Sequence, residues 1–333
     1  MLRVGIVGSG VMGTTHAFAW AKTPAQVVGI YSKDVDRAKE NASKLGARFF
    51  DSLDPLLDAC DVIDVCVPTH LHHEIVVQAA RAGKHMICEK PLARTYAQGL
   101  EMVEACHKAG VKLLVAHVVR FFPEYAAAKN AVQRGDVGQV AVVRLTRCSF
   151  QPRVINDNWF VDFAKSGGMV LDLMIHDFDY ARWVAGDVET VFARSVRGVD
   201  PSASEDYGVA ILRHTNGALS NVEGGWAYPP PMFRTGFEIA GDAGLIENPP
   251  DSAVPLGVYL KQVGQSDIPD VGIPGSPLAE DPYTTEIKHF YSVLTEGVEP
   301  RVTAEDGLAA LRIALAALQS AQTGRVVRVQ EVN

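Results

Sequence analysis

A glycine string close to the first residue restricts the folds open to this chain more than any other feature. Residues 2–7 are apolar and rich in β-branched side chains. Gly8-Ser9-Gly10-Val11-Met12-Gly13 comes directly after them and leads into a helical stretch over 12–22. G-x-G-x-x-G between a strand and a helix permits a tight turn and close approach of a pyrophosphate, whose charge then faces the helix N-terminus. Gly8, Gly10, Val11, Met12 and Gly13 are therefore candidate dinucleotide-binding residues.

The residues after the glycine string keep the same grammar. Strands are expected at 27–31, 61–67, 85–89 and 111–116, and helices at 35–45, 75–82 and 96–109, with Gly83 and Gly110 closing the last two. Strands alternating with helices at this spacing predict a doubly wound parallel sheet, here assigned to residues 1–118. Beyond it the pattern changes. Residues 140–150 alternate as a long strand, 168–184 read as one helix, and 188–196, 208–214, 218–226 and 233–240 read as strands. Residues 251–282 are rich in Pro, Gly and Ser and predict a long loop with one short strand near Val258; helices are expected at 284–294 and 304–322. The fold class is thus α/β: a Rossmann domain, then a second α/β domain over 119–333 with a large open, mostly antiparallel sheet.

Composition closes off other classes. The chain has 333 residues, 47% hydrophobic and 21% charged, which suits two ordinary globular domains. Its formal charge of −8, with no basic stripe, argues against nucleic acid as a partner. No apolar run approaches the roughly 20 residues that span a bilayer, and glycines interrupt the apolar start before it resembles a secretory leader. Five cysteines without C-x-x-C spacing suggest reduced thiols and a cytoplasmic protein.

Further motifs carry chemistry. At the end of the second strand an acid would serve the ribose of NAD, but the chain has Ser32-Lys33, with Asp34 late. A hydroxyl and an ammonium suit a 2′-phosphate, so NADP is favoured over NAD, the alternative being that Lys33 points into solvent. Glu89-Lys90-Pro91 places Lys90 at the carboxyl edge of the parallel sheet, where ligands of doubly wound sheets bind and an ammonium can favour an anionic oxygen. In Gly167-Gly168-x3-Asp172-x3-His176-Asp177, a single helix would set Asp172 and His176 on one face, a carboxylate orienting an imidazole for proton transfer. His70, His72 and His73 invite a metal reading, but no carboxylate cluster completes a ligand set, so no metal is expected.

In this order the motifs resemble the Gfo/Idh/MocA oxidoreductases. The match comprises the glycine string with His16 behind it, Ala82-Gly83-Lys84-His85 leading to Glu89-Lys90-Pro91, and the Gly167–Asp177 motif. Pro68-Thr69-x-x-His72, Arg120-Phe121 and Thr303-Ala304-Glu305-Asp306-Gly307 extend it over essentially the whole chain. The resemblance implies oxidation or reduction of a secondary alcohol on a sugar, inositol or related polyol with NAD or NADP. Lys90 would contact the reacting oxygen and His176 would take the hydroxyl proton as hydride passes to the nicotinamide. Asp172 would orient the substrate or the histidine. Pro68, Thr69, His72 and Glu89 would join Ser32, Lys33 and Lys90 around the cofactor. Arg120, Asn156, Trp159, Asp177 and Tyr283 would line the substrate pocket. Arg147 and Arg153 could bind an anionic substituent, though exposed arginines are the simpler reading. A homodimer or homotetramer is implied. Relatives that cleave glycosides through transient oxidation, or that bind NAD(P) as regulators, leave two alternatives open.

Overall fold

The computed structural model describes residues 1–153, 158–196, 206–249 and 280–333. The first elements are β1 (Arg3–Val7), α1 (Val11–Trp20), β2 (Gln26–Tyr31), α2 (Val35–Leu45), β3 (Arg48–Phe50) and α3 (Leu53–Ala59). They continue as β4 (Val62–Val65), α4 (His72–Arg81), β5 (His85–Glu89), α5 (Tyr96–Ala109) and β6 (Leu113–Ala116). The six strands pair in the order β3-β2-β1-β4-β5-β6, parallel throughout. A parallel sheet flanked by crossover helices is buried on both faces, which is why its strands read as unbroken apolar runs. Val4, Ile6, Ile63, Val65, Met86, Ile87 and Val115 are all fully enclosed. Gly83 terminates α4 as expected: at φ +69 it lets the Gly83 and Lys84 N–H groups bond back to Ala80 and Ala79.

The later elements are α6 (Pro123–Arg134), β7 (Val140–Ser149), α7 (Phe163–Ser166), α8 (Gly168–Asp172), α9 (Ile175–Ala185), β8 (Val188–Val196) and β9 (Tyr207–His214). Then come β10 (Leu219–Gly225), β11 (Phe233–Gly241), β12 (Leu245–Asn248), α10 (Pro282–Thr295), α11 (Ala304–Thr323) and β13 (Val327–Arg328). Seven strands form a second sheet in the order β12-β11-β7-β10-β9-β8-β13, antiparallel except where β10 runs beside β7. On β9, Ala210, Leu212 and His214 point to the covered face, while Val209, Ile211 and Arg213 stand on the other. The covered face packs against α8 and α9, and Met169 and Met174 fit against the small Gly208 and Gly224.

Three results differ from the sequence-based expectation. First, the chain divides into two compact units, but not at a single cut. Met1–Phe122 is joined by the later segment that carries α10 and ends at Leu308, while the second unit takes Pro123 onward and Ala309–Asn333. The reason is packing: α10 lies against α1, and Lys112 Nζ bonds the Val293 carbonyl at 2.9 Å. Second, β3, α3 and α6 lie outside the predicted elements. β3 is a three-residue edge strand, and prolines stand near the starts of α3 (Pro55) and α6 (Pro123), where a missing N–H costs little. Third, the single helix over 168–184 is broken at Leu173-Met174. There the Met174 N–H reaches back five residues to Met169, so the i→i−4 ladder slips and a new helix starts at Ile175. The strand near Val258 lies outside the described residues.

Candidate active site

The glycine string is dictated by contacts beneath it. Gly8 sits at φ +109, and a Cβ there would fall 2.2 Å from the Cys66 carbonyl oxygen. A Cβ on Gly13 would fall 2.2 Å from the Gly8 carbonyl oxygen. Gly10 differs: it is exposed, and a Cβ on it would meet nothing within 4 Å. Nothing within the protein demands glycine there, and its bareness leaves room for a ligand to approach the backbone. Gly10 is also the N-cap of α1 and brings no side chain to the first turn, which leaves the positive end of the helix to an anionic group. Val11 and Met12, half-buried, complete that turn. The cradle fits a pyrophosphate on its own geometry.

At the end of β2, Ser32 Oγ accepts the Asp34 N–H at 3.2 Å and shares a 2.8 Å hydrogen bond with Ser9 Oγ, which also lies 3.2 Å from the Asp34 carbonyl. Lys33 is exposed. The Asp34 carboxylate caps α2 by accepting the Arg37 N–H at 3.2 Å and lies 3.5 Å from the Arg37 guanidinium. At the end of β4, Pro68 precedes a 3-10 turn over Thr69–Leu71, and Thr69 is buried.

His72 is placed differently from a cofactor ligand. It is buried, with Nδ1 2.9 Å from the Pro91 carbonyl and Nε2 2.9 Å from the Val67 carbonyl. Burial lowers its pKa, so the ring is neutral and donates to one carbonyl at a time. It ties the β4 end to the Glu89-Lys90-Pro91 turn. His73, the next residue, instead pairs with Glu101 at 2.8 Å. Glu89, too, is turned inward: Oε2 accepts the Lys90 N–H at 3.0 Å and Oε1 faces His16 at 3.2 Å. Lys90 sits just past the carboxyl end of β5, half-buried.

Arg120 is almost wholly enclosed, and its Nη1 bonds the Arg301 carbonyl at 2.8 Å and Asp306 at 3.0 Å. This fixes the segment that starts α11, within the first unit. Tyr283 stands half-buried in the first turn of α10.

In the second unit, Ser166 Oγ accepts the Gly168 N–H at 2.9 Å and holds the turn ahead of α8. Asp172, buried, closes α8; His176, half-buried, opens α9. The break between them replaces the expected single-helix face. Arg147 and Asp177 correct another expectation. Neither is exposed: Arg147 Nε and Nη2 donate to the two Asp177 oxygens at 2.8 and 3.0 Å, with side chains 3% and 0% exposed. This pair is part of the interior, where burial pushes the Asp177 carboxyl up against the opposing pull of Arg147. Arg153 is exposed. Trp159 stacks on Phe160 with ring centroids 4.0 Å apart. Asn156 lies outside the described residues.

Sequence reasoning passes over Asp64 and gives His16 no role, yet both are fully enclosed beside the glycine string. The available signal is a lone carboxylate within the apolar strand Val62-Ile63-Asp64-Val65, since such a group stays buried only when paired.

Comparison with known proteins agrees with this geometry. Residues 2–117 match the model of an oxidoreductase family with an NAD-binding Rossmann fold, and residues 125–247 match the GFO/IDH/MocA C-terminal domain. A myo-inositol 2-dehydrogenase from Thermotoga maritima is 32% identical over 99% of both chains. A 1,5-anhydro-D-fructose reductase from Ensifer adhaerens is 29% identical, again over 99% of both. Among solved structures, a levoglucosan dehydrogenase in complex with NADH and levoglucosan superposes with a TM-score of 0.84 at 26% identity, covering 99% of this chain and 100% of that one. With a six-stranded Rossmann sheet, a seven-stranded mixed sheet and both family domains matched in order, the chain belongs to the Gfo/Idh/MocA family of NAD-binding oxidoreductases.

Proposed function

We propose that this dehydrogenase interconverts a secondary alcohol and a ketone on a sugar, inositol or related polyol. The observation that carries the reading is the glycine cradle at Gly8–Gly13, open where a pyrophosphate would lie, in a chain whose relatives act on such substrates. A bound nicotinamide supplies the hydride acceptor or donor. In the proposed assignment, Lys90 Nζ holds the reacting oxygen and favours its anionic form. His176 removes the hydroxyl proton in oxidation and returns it in reduction, and Asp172 orients the substrate or the histidine. Trp159 and Tyr283 contribute to substrate binding. A positioned acid–base group is worth about 10²–10⁴-fold in rate. Screening a polyol panel with NAD+ and NADP+ tests the reading: reduced dinucleotide should form with a member of the panel, and its absence throughout would refute it.

The dinucleotide is proposed to be NADP in preference to NAD. Lys33 is exposed beside Ser32, and the Asp34 carboxylate is engaged by α2 and Arg37. Lys33→Asp should weaken NADPH binding and spare NADH; equal affinities in the unaltered protein would refute the preference.

A homodimer or homotetramer is proposed from the face of the seven-stranded sheet that no helix covers among the described residues. Val209, Ile211 and Leu219 stand there 38%, 46% and 45% exposed, and a second copy of the chain would bury them. A monomer by light scattering would contradict this. Among the described residues no helix is long and apolar enough to cross a membrane. All five cysteines are free and buried, which supports a cytoplasmic location.

A further inference from the structure

A fully enclosed polar chain lies behind the glycine cradle, and the proposed reaction makes no direct use of it. His16 projects from α1 three residues after Gly13. Its Nδ1 stands 3.0 and 3.1 Å from the two Asp64 oxygens, and its Nε2 stands 3.2 Å from Glu89 Oε1. Asp64, in the middle of the sheet, also accepts the Trp20 Nε1–H at 2.7 Å and the Cys66 thiol at 3.3 Å. Glu89 Oε2 accepts the Lys90 N–H at 3.0 Å. The contacts run unbroken from Trp20 through Asp64, His16 and Glu89 to the backbone of Lys90, linking α1, β4 and β5.

His16, Asp64 and Cys66 offer three atoms close enough to one another to hold a metal. The donor chemistry assigns the place to protons instead. Asp64 already receives three donors, both imidazole nitrogens face carboxylates, and burial holds the Cys66 thiol protonated. A neutral imidazole sets its one N–H against Asp64; an imidazolium also places positive charge 3.2 Å from Glu89 Oε1, an ion-pair contact rather than a hydrogen bond. It also cancels one of two like charges that would otherwise be buried together.

We propose that His16 is a positioning residue, an imidazolium clamped between Asp64 and Glu89 that fixes the backbone at Lys90 in register with the helix that opens the dinucleotide cradle. This rests on the reading of Lys90 as the residue that holds the reacting oxygen. Burial would discharge the ring, but the Asp64 carboxylate against Nδ1 opposes it, and the pKa stands well above the ordinary histidine value. A clamp of this kind keeps the Glu89-Lys90 turn from relaxing when substrate binds. Small misplacements of a reacting group cost on the order of 10²-fold in rate.

The test combines one spectrum with one set of variants. In the unaltered protein, ¹⁵N-histidine NMR should show His16 with both ring nitrogens protonated at pH 7.5, and still so at pH 8.5. A neutral ring at pH 7.5 overturns the proposal, whatever the kinetics show. Glu89→Gln, which keeps the shape and removes the charge, should lower kcat about 10-fold or more while KM and dinucleotide Kd stay within about two-fold. Unchanged kcat in folded Glu89→Gln, alongside an inactive Lys90→Ala, overturns the clamp and leaves the Lys90 reading standing. Full activity in Lys90→Ala overturns the Lys90 reading itself, and the positioning role falls with it.

Discussion

Asp177→Asn removes half of an ion pair sealed in the interior of the second unit, and the size of the effect can be worked from the geometry of that pair. The Arg147 and Asp177 side chains are 3% and 0% exposed, and two hydrogen bonds of 2.8 and 3.0 Å join them. A surface pair is worth about 0–1 kcal/mol, but breaking a buried one leaves an uncompensated charge and costs about 3–5 kcal/mol. For a unit of this size each kcal/mol moves Tm by about 2–4 °C, so the loss should be about 6–20 °C. The two single variants should also differ in their pH dependence. Asp177→Asn strands a guanidinium that stays charged at every accessible pH, so this site should add no pH dependence to that variant's own stability between pH 5.0 and 7.5. Arg147→Met strands a carboxyl, whose folded pKa, already raised by burial, then loses the pull of Arg147 and rises further. Between the unfolded and folded values the native state binds the extra proton. Stability is therefore lost as pH rises through the folded value and recovered as pH falls, by about 1.4 kcal/mol per pH unit. Arg147→Met should accordingly be less damaged at pH 5.0 than at 7.5. Urea unfolding at the two pH values reads both effects. A loss under about 1 kcal/mol for Asp177→Asn, or identical pH behaviour of the two variants, would refute the reasoning.

Three further outcomes are expected of the same structure. Gly10→Ala should leave Tm unchanged, because its Cβ meets nothing within 4 Å and φ −65 suits alanine, yet weaken dinucleotide binding at least about 10-fold in a fluorescence titration. Gly13→Ala, whose Cβ would fall 2.2 Å from the Gly8 oxygen, should lose about 1–3 kcal/mol of stability as well as binding, by thermal melting and the same titration. The five cysteines are all buried, with thiol pKa values pushed up to about 11 for Cys60 and Cys148 and about 12 for Cys106. Ellman's reagent should therefore label the native protein slowly and all five thiols on unfolding.

What could be read from the sequence was what repeats locally. The apolar strands of the first sheet, the terminator at Gly83 and the helices Val35–Leu45 and Tyr96–Ala109 are each set by their own residues, and their bounds were predictable. The break at Leu173-Met174 was not, because both residues are good helix formers and the slip arises where Met169 and Met174 fit against Gly208 and Gly224. The same holds for the candidate site. Lys90 and the glycine string are marked by motifs tied to strand ends. The partners of His72, Arg120 and Arg147 lie 19, 186 and 30 residues away, and no local pattern announces them. Arg147 illustrates the point: an arginine in an alternating strand reads as solvent-facing until a buried carboxylate is known to oppose it.

The most direct test of the central claim tracks one atom. The preferred polyol of the panel, deuterated at its carbinol carbon, is incubated with the protein and oxidised dinucleotide, and the reduced dinucleotide is examined by mass spectrometry and NMR. The account predicts deuterium on the nicotinamide C4 in one stereochemical position. Transfer should fall about 10²-fold or more in His176→Ala, with dinucleotide affinity retained. Reduced dinucleotide without deuterium, or full transfer in His176→Ala, would contradict it.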